Sequence, residues 1–116
     1  MATIRITDLR LRTIIGINDW EREEEQDVVI NVTMDFDAAK SSQSDNINDT
    51  VDYKDITKDI IKEVESSKYF LLEKLADQIL HIILKHPRVT RATVKIDKPF
   101  ALRFADSVSI EIEGKK

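Results

Sequence analysis

Residues Asp27 to Asp37 read "DVVINVTMDFD". Val28, Ile30, Val32, Met34 and Phe36 fall on one side of an extended chain, and Asn31, Thr33 and Asp35 on the other. Alternation of this kind, rich in β-branched residues, predicts a half-buried antiparallel strand. The flanking sequence repeats the same two-residue period. Upstream, Thr3 to Gly16 alternates in two phases: Ile4 and Ile6 share one, and Leu9, Leu11, Thr13 and Ile15 share the other. A strand keeps its phase unless an extra residue intervenes, so a bulge or break is expected near Thr7–Asp8. Downstream, two further strands are expected at about residues 89–97 and 106–113.

Between these pairs the period changes. Residues 39–52, "AKSSQSDNINDTVD", read as a loop, because Ser, Asn and Asp favour local hydrogen bonds over ladders. From Tyr53 onward, Ile56, Ile60, Ile61 and Val64 follow helical spacing, with Asp52 as N-cap. A second helix is expected from Leu71 to Lys85, ended by Pro87. Leu72, Leu75, Ala76, Ile79 and Ile83 form its stripe, widened by Leu80, Ile82 and Leu84. The order β-β-α-α-β-β predicts one α+β domain over residues 1–116. Two helices then cover one face of a four-stranded antiparallel sheet. The other face is expected to carry residues such as Val29 and Ile14. Both edge strands are long and lack proline, so the sheet should pair edge to edge with copies of itself.

Composition narrows the function classes. With no cysteine, thiolate nucleophiles, cysteine metal sites and disulfides are excluded, which fits a reducing compartment. A net charge of −4 without a basic tract argues against nucleic acid as a partner. No apolar run approaches the roughly 20 residues needed to cross a bilayer, and "MATIRITDLR" lacks an apolar signal core. The expectation is a cytoplasmic protein with no membrane partner. His81 and His86 do not share a ligand face. "DNIND" from Asp45 has Ile47 at a calcium-ligand position and no following glycine, so no metal site is expected.

What remains is a set of polar residues at element ends: Glu21 in the first connection, Tyr53 and Glu73 at helix starts, and Lys98 after the third strand. Each has an ordinary use. Glu73 complements a helix dipole, Tyr53 serves as a boundary aromatic, Lys98 as a solvated charge, and Glu21 as part of a solvated acidic run. Spacing alone yields a soluble, self-associating α+β domain.

The segments "LRLRTIIGI", "QDVVINVTM", "INDTVDY", "LLEKLADQIL" and "IDKPFALRFADSVSI" go further. In their order and spacing the chain resembles the dihydroneopterin aldolase and dihydroneopterin triphosphate epimerase family over nearly its whole length. The resemblance implies the tunnelling fold, in which four subunits close their sheets into one barrel and two rings usually stack. It therefore implies a homo-tetramer or homo-octamer with sites at subunit interfaces, and a small-molecule pterin substrate. Glu73 matches the family's pterin anchor, assisted by backbone near Leu72. Thr50 and Val51 match positions that reach the pterin from a neighbouring chain, as does Tyr53. Lys98 matches the catalytic lysine, with Tyr53 and Glu21 as its catalytic companions and Gln26 beside them.

The chemistry so implied is a retro-aldol step at the C1′–C2′ bond of the dihydroneopterin side chain. The pterin ring is the electron sink, and neither a metal nor another cofactor is needed. "LRLRT" and "ALRFADSVS" resemble the epimerase branch, and "DWE" at Asp19–Glu21 resembles bacterial aldolases. C2′ epimerisation of the triphosphate is the favoured outcome, with Arg10, Arg12 and Arg103 as candidate triphosphate contacts. The alternative is cleavage to 6-hydroxymethyl-dihydropterin and glycolaldehyde on the folate route. A non-catalytic pterin- or purine-binding module is the remote alternative.

Overall fold

A computed structural model describes residues 1–116. Strands β1 (Ala2–Thr13), β2 (Gln26–Phe36), β3 (Val89–Pro99) and β4 (Ser107–Lys115) form one antiparallel sheet in the order β1-β2-β3-β4. Between β2 and β3 run a short helix α1 (Ala39–Ser44), the long helix α2 (Tyr53–Ser66) and helix α3 (Leu72–Leu84). Helix α2 lies over β1, and α3 over β3 and β4. The helices share one face of the sheet, where they cover the apolar side of its alternation.

The phase switch in β1 is a register shift between Ile6 and Leu9, with Asp8 in the left-handed region at φ 54°. The extra residue lets Ile4 and Ile6 and then Leu9 and Leu11 point to the helix side. In β2, Val28, Ile30, Val32, Met34 and Phe36 are buried, facing Ala92, Val94 and Ile96 of β3 and the apolar side of α3. Asp52 caps α2 by accepting hydrogen bonds from the backbone N–H groups of Lys54 and Asp55. Such a cap is worth about 1 kcal/mol.

One expectation is corrected. Residues 39–52 are not a plain loop: they hold α1 and a 3₁₀ turn at Ile47–Asp49. Local hydrogen bonds, from the Ala39 N–H to the Asp37 carboxylate and from the Asn48 N–H to the Asn46 side-chain oxygen, start these turns instead of preventing them. The connection after β1 likewise contains a 3₁₀ turn at Asp19–Arg22. The helix-free face carries Val29, as expected, and is otherwise mostly polar. Arg10 and Asp97 flank Val29 there, with Asn31, Thr33, Thr93 and Lys95 further along, and Ile14 lies beyond the end of β1.

Both edges of the sheet, β1 and β4, lack a partner strand. Beneath them Ile4, Ile6, Leu9 and Leu11 on one side, and Ile110 and Ile112 on the other, are only half-buried at the margin of the core. No helix is long and apolar enough to cross a membrane.

Candidate functional site

Strand β3 runs two residues further than its alternation suggested, so Lys98 lies within the ladder, opposite Val108. It shares the phase of Val94 and Ile96 and so turns to the helix side, where the core runs out. There it meets Glu21. The Lys98 Nζ forms an ion pair with the Glu21 Oε2, and the two side chains are 13% and 4% exposed. Neither is the solvated charge that its local sequence describes.

Glu21 reaches this position through a local device. Asn18 and Glu21 form a reciprocal capping box at the 3₁₀ turn, with the Asn18 backbone N–H donating to Glu21 Oε1 at 3.1 Å. The Asn18 side-chain amide donates to the same oxygen at 2.7 Å. Gln26 Nε2 donates to Glu21 Oε2 at 3.0 Å and to the Ile15 carbonyl at 2.8 Å. Below the carboxylate lies Gly16, at φ 128°, where any Cβ would overlap it. Burial opposes the Glu21 charge, but the hydrogen bonds from Lys98, Gln26 and Asn18 overcome that opposition and lower its pKa from 4.5 to about 2.

A pH dependence follows. The unfolded carboxyl protonates near 4.5 and the folded one near 2. The stability contributed by the Glu21 charge is therefore complete above about pH 4.5 and is lost as pH falls toward 2. Urea denaturation across this window should show wild type losing stability more steeply than Glu21→Gln. Parallel curves would contradict the assignment.

The start of α3 lies at the same end. Gly16 N–H donates to the Tyr69 carbonyl at 3.3 Å, which brings residues 67–71 against the first connection. Leu71, just before α3, offers no side-chain cap. The first-turn N–H groups near Leu72 are thus left for another acceptor. Glu73 follows in that first turn and is exposed, so a carboxylate and backbone donors stand side by side.

Thr50, Val51 and Tyr53 are elsewhere. With Ile4 and Phe36 they line a cavity of about 550 Å³ at the opposite end of the sheet. β2 starts with Gln26 at one end and finishes with Phe36 at the other, a run of about 30 Å. No single chain brings Tyr53 to its own Lys98. The Val51 side chain is core, at 2% exposure, so only its backbone is available to a ligand; Tyr53 is 53% exposed. Asp49 pins this segment through Ser44 at 2.7 Å and Lys40 at 3.3 Å, and Arg88 donates to the Asn48 carbonyl at 2.9 Å.

The three arginines separate. Arg10 and Arg12 lie on the helix-free face and line a 370 Å³ cavity with Val29, Pro99 and Phe100. Arg12 is engaged by Asp27 at 3.1 Å and by the Glu25 carbonyl at 3.0 Å. Arg103 sits in the exposed β3–β4 connection, 5.4 Å from the centroid of the Phe104 ring. That connection begins at Phe100, which is in the left-handed region at φ 62°. No group of three or more His, Asp or Glu side chains converges as a metal site would require. Two residues escaped the sequence reading: Gly16, legible only as the end of the alternating stretch and not for its contact with Glu21, and Arg22, masked by the acidic run around it.

The dihydroneopterin aldolase (FolB) family matches residues 4–113. The dihydroneopterin triphosphate 2′-epimerase of Escherichia coli K12 is 49% identical over 99% of this chain and 96% of its own length. The dihydroneopterin aldolase of the same organism is 31% identical, over 97% and 93%. The crystal structure of E. coli dihydroneopterin aldolase in complex with neopterin superposes with a TM-score of 0.93 at 31% identity, covering 98% of this chain and 99% of that one. The sheet order, the helix-covered face and these matches place the chain in the dihydroneopterin aldolase family, nearer in sequence to its triphosphate epimerases than to its aldolases.

Proposed function

We propose that the protein is a pterin-metabolising enzyme that inverts C2′ of 7,8-dihydroneopterin triphosphate by retro-aldol cleavage and re-addition. The single observation that carries the reading is the buried Glu21–Lys98 pair, held at the end of the sheet where Glu73 opens α3. The higher identity to epimerases than to the aldolase supports the outcome.

In this reading the pterin ring presents an N–H beside an amino group to Glu73, which accepts both, while backbone near Leu72 donates to the ring. Lys98 takes part in removing the 2′-hydroxyl proton, and Glu21 and Gln26 hold the lysine head in place. The C1′–C2′ bond breaks, its electron pair enters the ring, and a two-carbon aldehyde forms. Rotation of the aldehyde and re-addition give the epimer. Its escape, with a proton delivered to C1′, gives the cleavage product. Thr50, the Val51 backbone and Tyr53 come from a second copy, with Tyr53 serving the proton transfer at carbon. The unpartnered β1 and β4 edges supply the means of assembly into a tetramer or octamer. Arg10 and Arg103 are the less engaged candidates for the triphosphate, since Arg12 already has Asp27.

Incubation with dihydroneopterin triphosphate and with dihydroneopterin, separately, tests this proposal. The C2′ epimer of the triphosphate should dominate the products. Hydroxymethyl-dihydropterin as the main product, or no turnover of either substrate, would overturn it.

A further inference from the structure

We infer that Arg22 is a positioning residue that fixes the spacing between the Glu21–Lys98 pair and the start of α3, and thereby favours re-addition over release. The inference rests on the proposed reaction, which needs both ends of that spacing at once.

Arg22 directly follows Glu21 but turns the other way. One guanidinium nitrogen, Nη1, donates to the carbonyls of Gly16 and Tyr69, each at 3.0 Å. The other, Nη2, donates to the Lys68 carbonyl at 2.5 Å. The guanidinium also packs over the Phe70 ring, 4.1 Å from its centroid. One side chain thus clasps the turn that carries Glu21 to the segment leading into Leu72 and Glu73. Only one backbone bond, from Gly16 N–H to the Tyr69 carbonyl, runs parallel to it. A planar fork with two donor nitrogens can hold three carbonyls in this way; a lysine, with one nitrogen on a flexible stem, cannot.

The consequence for the reaction is geometric. After the C1′–C2′ bond breaks, the ring is held at Glu73 and the aldehyde near Lys98. Re-addition requires the aldehyde carbon to return to C1′, so it depends on that spacing. Release requires that the aldehyde leave and that a proton reach C1′, which in the proposed reaction comes from Tyr53 of the second copy, a residue the clasp does not hold. A loosened clasp slows the first without slowing the second.

Arg22→Gln and Arg22→Lys test this with two readouts. Native-state amide exchange reads the clasp without turnover: protection of the Gly16, Lys74 and Leu75 amides should fall roughly tenfold while the sheet is unchanged. Product analysis with dihydroneopterin triphosphate reads the consequence: the ratio of epimer to cleavage product should fall roughly tenfold in both variants, with little change in pterin affinity. Unchanged exchange, full rescue by lysine, or an unchanged product ratio despite lost protection would each overturn the inference. If wild type turned over neither substrate, the proposed reaction would fall, and exchange would still decide whether Arg22 holds the turn.

Discussion

Lys98→Ala should lower both epimerisation and cleavage by about 10²–10⁴-fold, because both begin with removal of the 2′-hydroxyl proton. The structure makes this variant more than a lost proton-transfer group. Lys98 is also the partner of a buried carboxylate. Its removal leaves Glu21 with only Gln26 and Asn18 as donors, and breaking a buried pair costs about 3–5 kcal/mol. The two effects separate in the double variant Lys98→Ala/Glu21→Gln. It removes the stranded charge, so it should recover stability in urea denaturation and remain inactive. Recovery of turnover with stability would show that Lys98 only supports the fold.

Gly16→Ala should be nearly as damaging, although alanine adds one methyl group. At φ 128° an L residue is strained, at a cost of about 1–3 kcal/mol. The new Cβ would also overlap the Glu21 carboxylate, which has no room to retreat while Asn18, Gln26 and Lys98 hold it. Either the turn opens or the carboxylate leaves, and Lys98 loses its anchor in both cases. Turnover should fall together with the urea midpoint. Wild-type values for both would mean that the Glu21 site tolerates rearrangement and is not a fixed device.

Local rules carried the fold. The β2 alternation, the phase switch at Thr7–Asp8 and the Asp52 cap each depend on residues close in sequence, and each is present. The site was less legible for a matching reason. Glu21 sits in a run with Glu23, Glu24 and Glu25, and nothing local marks it as the buried member. Its partner is 77 residues away. Arg22 bonds to carbonyls 46 and 47 residues on, which a charge pattern cannot reveal. Residues 39–52 misled because Ser, Asn and Asp cap short helical turns as readily as they form loops. The family resemblance named Glu21, Tyr53, Glu73 and Lys98 together. The structure adds that Tyr53 and Lys98 of one chain stand at opposite ends of the sheet.

The site is therefore proposed to join two copies of the chain, and hybrid oligomers test that most directly. Thr50→Arg fills the cavity beside Tyr53, and Lys98→Ala removes the lysine at the other end. Each variant alone should be inactive. Co-expressed with different affinity tags and purified through both, they should form oligomers in which about a quarter of the sites pair an intact Lys98 with an intact Thr50 from its neighbour. The account predicts that C2′ epimerisation of dihydroneopterin triphosphate returns to about that fraction of wild type. Hybrids no more active than either parent would contradict it.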